Sequence, residues 1–65
     1  MRIYDLLAVI PVNRTLSIYD KDDNLVATIG MKEMLENPDY NKLYLLEINR
    51  IIPTKCKYLL QVELK

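Results

Sequence analysis

Four residues punctuate this chain and limit what it can build: Pro11, Gly30, Pro38 and Pro53. A proline fixes its own φ, lacks an amide hydrogen and pushes the preceding residue out of the α region, so helices stop at or before it. Gly30 in turn interrupts the apolar run of residues 25–29. The longest stretch between these marks, residues 12–29, is itself split by the polar run Lys21, Asp22, Asp23 and Asn24. The chain must therefore be assembled from short elements.

Within those limits the apolar spacing names each element. Ile3, Leu6, Leu7 and Ile10 fall at i, i+3, i+4 and i+7, which predicts a first helix over residues 3–9 ended by Pro11. Asp5 lies in its first turn, where the helix dipole favours a carboxylate. Residues 15–20 alternate, with Leu16 and Ile18 on one side and Thr15, Ser17 and Tyr19 on the other. Residues 25–29 form a second strand after a turn of Asp and Asn residues, which bond their own backbone and tolerate positive φ. Met31, Met34 and Leu35 resume helical spacing until Asn37 and Pro38 halt it, and Asp39, Tyr40 and Asn41 carry the chain round a connection.

Residues 43–52 form the most apolar stretch and read as a third strand, with Tyr44, Leu46, Ile48, Arg50 and Ile52 on one face and Leu45, Glu47, Asn49 and Ile51 on the other. After a turn through residues 53–56 the last strand points Tyr58, Leu60, Val62 and Leu64 inward. The expected fold is α+β, order α-β-β-α-β-β, a single domain over residues 1–65: one four-stranded antiparallel sheet with two short helices on one face.

A chain of 65 residues buries only about 60% of the surface it exposes when unfolded. Disulfides, metal or oligomerisation usually supply the missing stability. Cys56 is the single cysteine and there is no histidine, which excludes an internal disulfide and a thiolate–imidazole zinc site. Self-association or an efficient core remains. The free thiol, the lack of an export signal around residues 6–12 and the lack of a run of about 20 apolar residues point to a cytoplasmic protein without a membrane span.

The chemistry-bearing patterns are thin. Asp20, Asp22 and Asn24 match the first spacings of a calcium loop, but Leu25 and Met31 stand where that loop needs Gly and Glu. A polar hairpin turn is expected there. Without histidine the commonest general base is missing, Cys56 has lysine neighbours but no imidazole, and one glycine cannot make a phosphate-cradling loop. Neither an enzyme nor a cofactor site is expected. Nine basic and nine acidic residues cancel, so neither a basic nucleic-acid surface nor an acidic mimic of DNA is evident. A minor reading as a nucleic-acid binder would use Arg2, Arg14, Arg50, Lys55 and Lys57.

The informative feature is the apolar surplus, 51% of residues. Leu45, Ile51 and Leu59, with Tyr19, interrupt the outward sheet face, and Tyr40 and Tyr44 are further candidates for partner contact. Apolar clusters on a solvated face mark interfaces, and a symmetric homodimer is the simplest use of one.

The segments Ile3-Tyr-Asp-Leu-Leu-Ala-Val-Ile10, Leu16-Ser-Ile-Tyr-Asp20, Ile29-Gly-Met-Lys-Glu-Met-Leu35 and Leu45-Leu-Glu-Ile-Asn-Arg-Ile51 together resemble small accessory proteins of phages and prophages of low-GC Gram-positive bacteria. The likeness lies in hydrophobic spacing and element order. It implies a protein that binds and inhibits a host defence or regulatory protein, as anti-CRISPR proteins do, in the cytoplasm of the bacterial host. The alternative is a structural or regulatory module of a mobile element.

Overall fold

Asp5 sets the start of the first helix: its Oδ2 accepts the Arg2 amide at 2.9 Å, the reach-back half of a capping box. The computed structural model describes all of Met1–Lys65, and this helix, α1, covers Ile3–Leu7. It ends two residues before the expected limit because the chain tightens ahead of Pro11, with the amides of Val9 and Ile10 both donating to the Leu6 carbonyl. The free amides of Ile3 and Tyr4 donate to the carbonyls of Leu46 and Tyr44, at 2.9 Å each. Those contacts satisfy helix-start donors that have no partner within the helix.

Strands β1 (Thr15–Tyr19) and β2 (Leu25–Gly30) form the first hairpin. The acidic turn between them is built on Asp20, whose Oδ1 accepts the amides of Asp22 and Asn24 at 2.9 Å each. Asp23 takes the left-handed conformation, φ 67°. Helix α2 (Met31–Glu36) follows directly and buries Met31 and Met34, three positions apart on one face. Asn37 then accepts the Asp39 amide through Oδ1 and, with Pro38 at the first position, opens a 3-10 helix over Pro38–Leu43. The second hairpin is β3 (Ile48–Ile52) and β4 (Leu59–Leu64).

The sequence-based expectation needs three corrections. The order is α-β-β-α, then the 3-10 helix, then β-β, and the third strand begins at Ile48, not residue 43. Leu43, Tyr44 and Leu46 pack against the core from the connection; a short apolar run has no period that separates a strand from such a turn. Tyr58 lies outside β4 and is exposed.

The third correction concerns the sheet. Its order is β2-β1-β4-β3, and the central β1–β4 pair is parallel, so the sheet is mixed. Each hairpin is antiparallel, as its short turn requires. The parallel contact arises where the hairpins meet through their two most buried strands. It begins with the Thr15 amide on the Tyr58 carbonyl at 2.7 Å.

Ile3 and Leu6 of α1, Met31 and Met34 of α2, and Leu16, Ile18, Ile29, Ile48 and Val62 of the sheet form one buried cluster. Both helices thus lie on one side of the sheet, and the other side carries none. Only 10 of 65 residues are buried, so the core is small and its stability correspondingly marginal.

Candidate interaction surface

Residues paired across neighbouring strands share a face, so the register gives the composition of the uncovered side. One row is Thr28, Ser17, Gln61 and Ile52; the next is Leu25, Tyr19, Glu63 and Arg50; Thr15 and Leu59 lie at the far end. The middle of this face is tied by hydrogen bonds. Ser17 and Thr28 hydroxyls meet at 3.2 Å, Gln61 Nε2 donates to the Tyr19 hydroxyl at 3.3 Å, and Arg50 donates to Glu63 from Nε and Nη2. Apolar groups sit at its corners: Leu25 and Val26 on β2, Leu59 and Ile52 at the opposite end. The face is a fixed polar centre with apolar margins.

Of the residues singled out from sequence, Tyr19 and Leu59 lie on this face, both half-buried. Ile51 does not. The pairing jumps from Ile48–Leu64 to Arg50–Glu63, so Asn49 is an extra residue, and Ile51 then faces Val62 on the helix side. A bulge of one residue reverses the sidedness that strict alternation implies. Leu45 lies in the turn before β3 and is 68% exposed. Tyr40 and Tyr44 pack on the helix side, where the Tyr44 hydroxyl donates to the Met34 carbonyl at 2.8 Å. Leu25, Val26 and Ile52 were missed; Val26 could have been found by carrying the alternation along β2, whereas Leu25 and Ile52 were hidden by bulges, Val26 itself being the extra residue between the Ile18–Ala27 and Tyr19–Leu25 pairs.

Zero net charge conceals a separation along the strands. At the end where β1 and β4 begin stand Arg14 and Lys57, both against Tyr58, with Lys55 exposed in the turn that leads to β4. The Arg14 guanidinium lies 5.5 Å and the Lys57 ammonium 5.1 Å from that ring, and Arg14 also donates to the Lys57 carbonyl. None of these cations forms an ion pair. The two ion pairs, Arg50–Glu63 at 3.2 Å and Lys65–Glu47 at 3.6 Å, lie towards the other end, with the acidic turn. Arg2 and Arg50 are therefore not part of the basic cluster that the nucleic-acid reading would use.

Two carboxyl groups are held below the usual carboxylate range: Asp20 chiefly by the Asn24 amide and then the Asp22 amide, Glu63 by the Asn49 side chain and then Arg50. Both shifts lead away from neutral pH, and both come from contacts that fix a turn or a strand pair. Cys56 is exposed and free. An open groove of about 620 Å³ runs beside the end of β2, lined by Gly30, Lys32, Glu33, Glu36, Asn37 and Pro38. No helix is long and apolar enough to cross a membrane. Comparison with known protein families, curated proteins and solved structures finds no match.

Proposed function

We propose that this protein is a non-enzymatic, phage-type interaction protein that acts in the bacterial cytoplasm by covering a surface of a host defence or regulatory protein. One observation carries the reading: a sheet face without helices, its polar centre held by hydrogen bonds and its corners apolar. Fixed side chains lose little freedom on binding, and apolar margins supply the burial that drives association. Tyr19 and Leu59 are the contact residues on that face, joined by Leu25, Val26 and Ile52. The resemblance to small phage accessory proteins supplies the host and the inhibitory role. A homodimer belongs to the same reading, since so small a core gains from association.

The test is expression in a Gram-positive host that carries an anti-phage system, scored by plaque formation together with affinity capture. Wild type should raise plaque formation and retain one defence component. Tyr19→Asp and Leu59→Asp should lose both effects while keeping the wild-type circular dichroism spectrum. Retention of both effects in the two variants would remove the open face from the mechanism.

The gathering of Arg14, Lys55 and Lys57 favours a second reading, contact with a nucleic-acid phosphate backbone. It requires affinity for DNA or RNA that falls steeply with salt and is lost in Lys55→Ala/Lys57→Ala.

A further inference from the structure

The two edges of the sheet are not alike. On β3 the outer edge is defended: Asn49 makes a bulge, Arg50 carries charge, Pro53 follows the strand, and the Met1 carbonyl accepts the Ile48 amide at 2.7 Å. β2 also has a bulge, at Val26 near its start, but its edge sequence is Leu-Val-Ala-Thr-Ile-Gly, without a charge or a proline, and its pairing is regular from Ala27 to Gly30. Apart from the β1–β2 ladder and the first turn of α2, which the Gly30 carbonyl opens, no backbone hydrogen bond involves Leu25–Gly30. Natural sheets rarely leave such an edge bare, because it is a template for another strand.

The unused groups can be located. The Met31 amide donates to the Arg14 carbonyl at 2.9 Å, so by antiparallel alternation Ile29 and Ala27 point their main-chain groups towards β1. Thr28 points both of its main-chain groups outward and Gly30 its amide, the Gly30 carbonyl being taken by the first turn of α2. The Ser17–Thr28 hydroxyl contact agrees, since side chains approach closely in a non-hydrogen-bonded pair. Gly30 adds a second observation. Its backbone is ordinary, φ −65° and ψ 139°, and a Cβ added there would meet nothing within 4 Å. Neither backbone conformation nor packing within the protomer calls for glycine, and Ser, Thr or Asn serve at least as well at a helix N-cap. A glycine in a strand often marks the close approach of another backbone.

We infer that β2 pairs antiparallel with β2 of a second copy of this chain, about a two-fold axis at Thr28, to make a continuous eight-stranded sheet. Thr28 then exchanges both main-chain hydrogen bonds with the partner's Thr28, and Val26 lies opposite the partner's Gly30, over the space its missing side chain leaves. The strand edge alone is narrower than the roughly 800 Å² per partner that stable dimers bury. The same pairing brings the Lys21–Asp22–Asp23 turn of one copy beside the other's groove, where Lys32 stands with Glu33 and Glu36. Asp22 and Asp23 meet a lysine there and Lys21 meets glutamates, twice by symmetry. The occupant is thus a second copy, whose uncharged strand and mixed-charge turn match the edge and the groove.

This inference rests on the self-association part of the proposed function and joins two open faces into one. Sedimentation equilibrium on wild type, Gly30→Thr and Thr28→Pro tests it. Threonine is suited to both a strand and an N-cap, so Gly30→Thr preserves the protomer while placing bulk against Val26; proline at an outward amide is tolerated on an edge. Wild type should be a dimer, with association weakened at least about tenfold in Gly30→Thr and lost in Thr28→Pro. The amides of Thr28 and Gly30 should gain hydrogen-exchange protection as wild-type concentration rises. A monomeric wild type at the highest soluble concentration, or a dimer unchanged in Gly30→Thr and without concentration-dependent protection at those amides, overturns it. Host-protein capture through Tyr19 and Leu59 is read separately and survives that outcome.

Discussion

Asn49, the extra residue of the β3 bulge, donates from Nδ2 to Glu63 Oε1 at 3.0 Å, across the strand pair in which Glu63 faces Arg50. One carboxylate thus anchors the bulge and the first regular pair beyond it. Hydrogen bonds to the charged form explain why Glu63 is held below the ordinary carboxylate range.

That linkage predicts an acid sensitivity of definite sign. A group whose pKa is lowered by folding contributes stability above its unfolded value and loses it as pH falls through the folded one. Glu63 and Asp20 both act in this sense. Melting temperature should therefore be flat above about pH 5 and fall below about pH 4, where unperturbed carboxylates titrate. Asn49→Ala should flatten the part of that fall due to Glu63. Thermal melts across the acid range check it, and an unchanged slope in Asn49→Ala would count against the contact.

Tyr44 is predicted to matter through its hydroxyl and not as a surface contact. Its donation to the Met34 carbonyl satisfies an acceptor in the last turn of α2, half-buried. Tyr44→Phe keeps the ring against the core, where it also lies 6.5 Å from the Tyr4 ring, and should cost about 0.5–1.5 kcal/mol. Urea unfolding measures this directly, and partner capture should be unaffected.

Ile18 and Ile51 carry the same side chain into different surroundings. Ile18 is fully buried at the centre of the sheet, whereas Ile51 is 46% exposed on the edge strand. Ile18→Ala should cost about 2–5 kcal/mol, a large part of the whole stability of a small domain. Ile51→Ala should cost well under half as much. Chemical denaturation of the two variants decides whether Ile51 belongs to the core or to its rim.

Local elements were legible in the sequence to the extent that their causes are local. Gly30 and Pro38 bound α2 at Met31–Glu36, and the Asp20 turn and the inward Leu60, Val62 and Leu64 follow from composition and period. The parallel β1–β4 contact was not legible, because neither hairpin's own pattern says which strand of the other it will meet. For the candidate surface, period two placed Tyr19 and Leu59 correctly on the open side. It failed for Ile51 because one extra residue reverses a face without leaving any mark in the apolar pattern, and for Leu45 because the chain there is a turn.

The bulge itself can be tested by deletion. Ile48 faces Leu64 and Arg50 faces Glu63, so removing Asn49 brings two correctly sided residues next to each other. The strand would become regular, with Ile48 still towards the core and Arg50 still on the open face. Deleting Asn49 should thus leave a folded protein, at a cost in the ordinary range for a single change, about 0.5–3 kcal/mol. Deleting Gln61 from the central strand β4 has the opposite consequence. It throws Val62 and Leu64, or else Leu60, onto the wrong face, and the domain should not fold. Circular dichroism melts of the two deletions give the comparison. If β3 were regular instead, losing Asn49 would turn Ile48 out of the core, and both deletions would unfold alike.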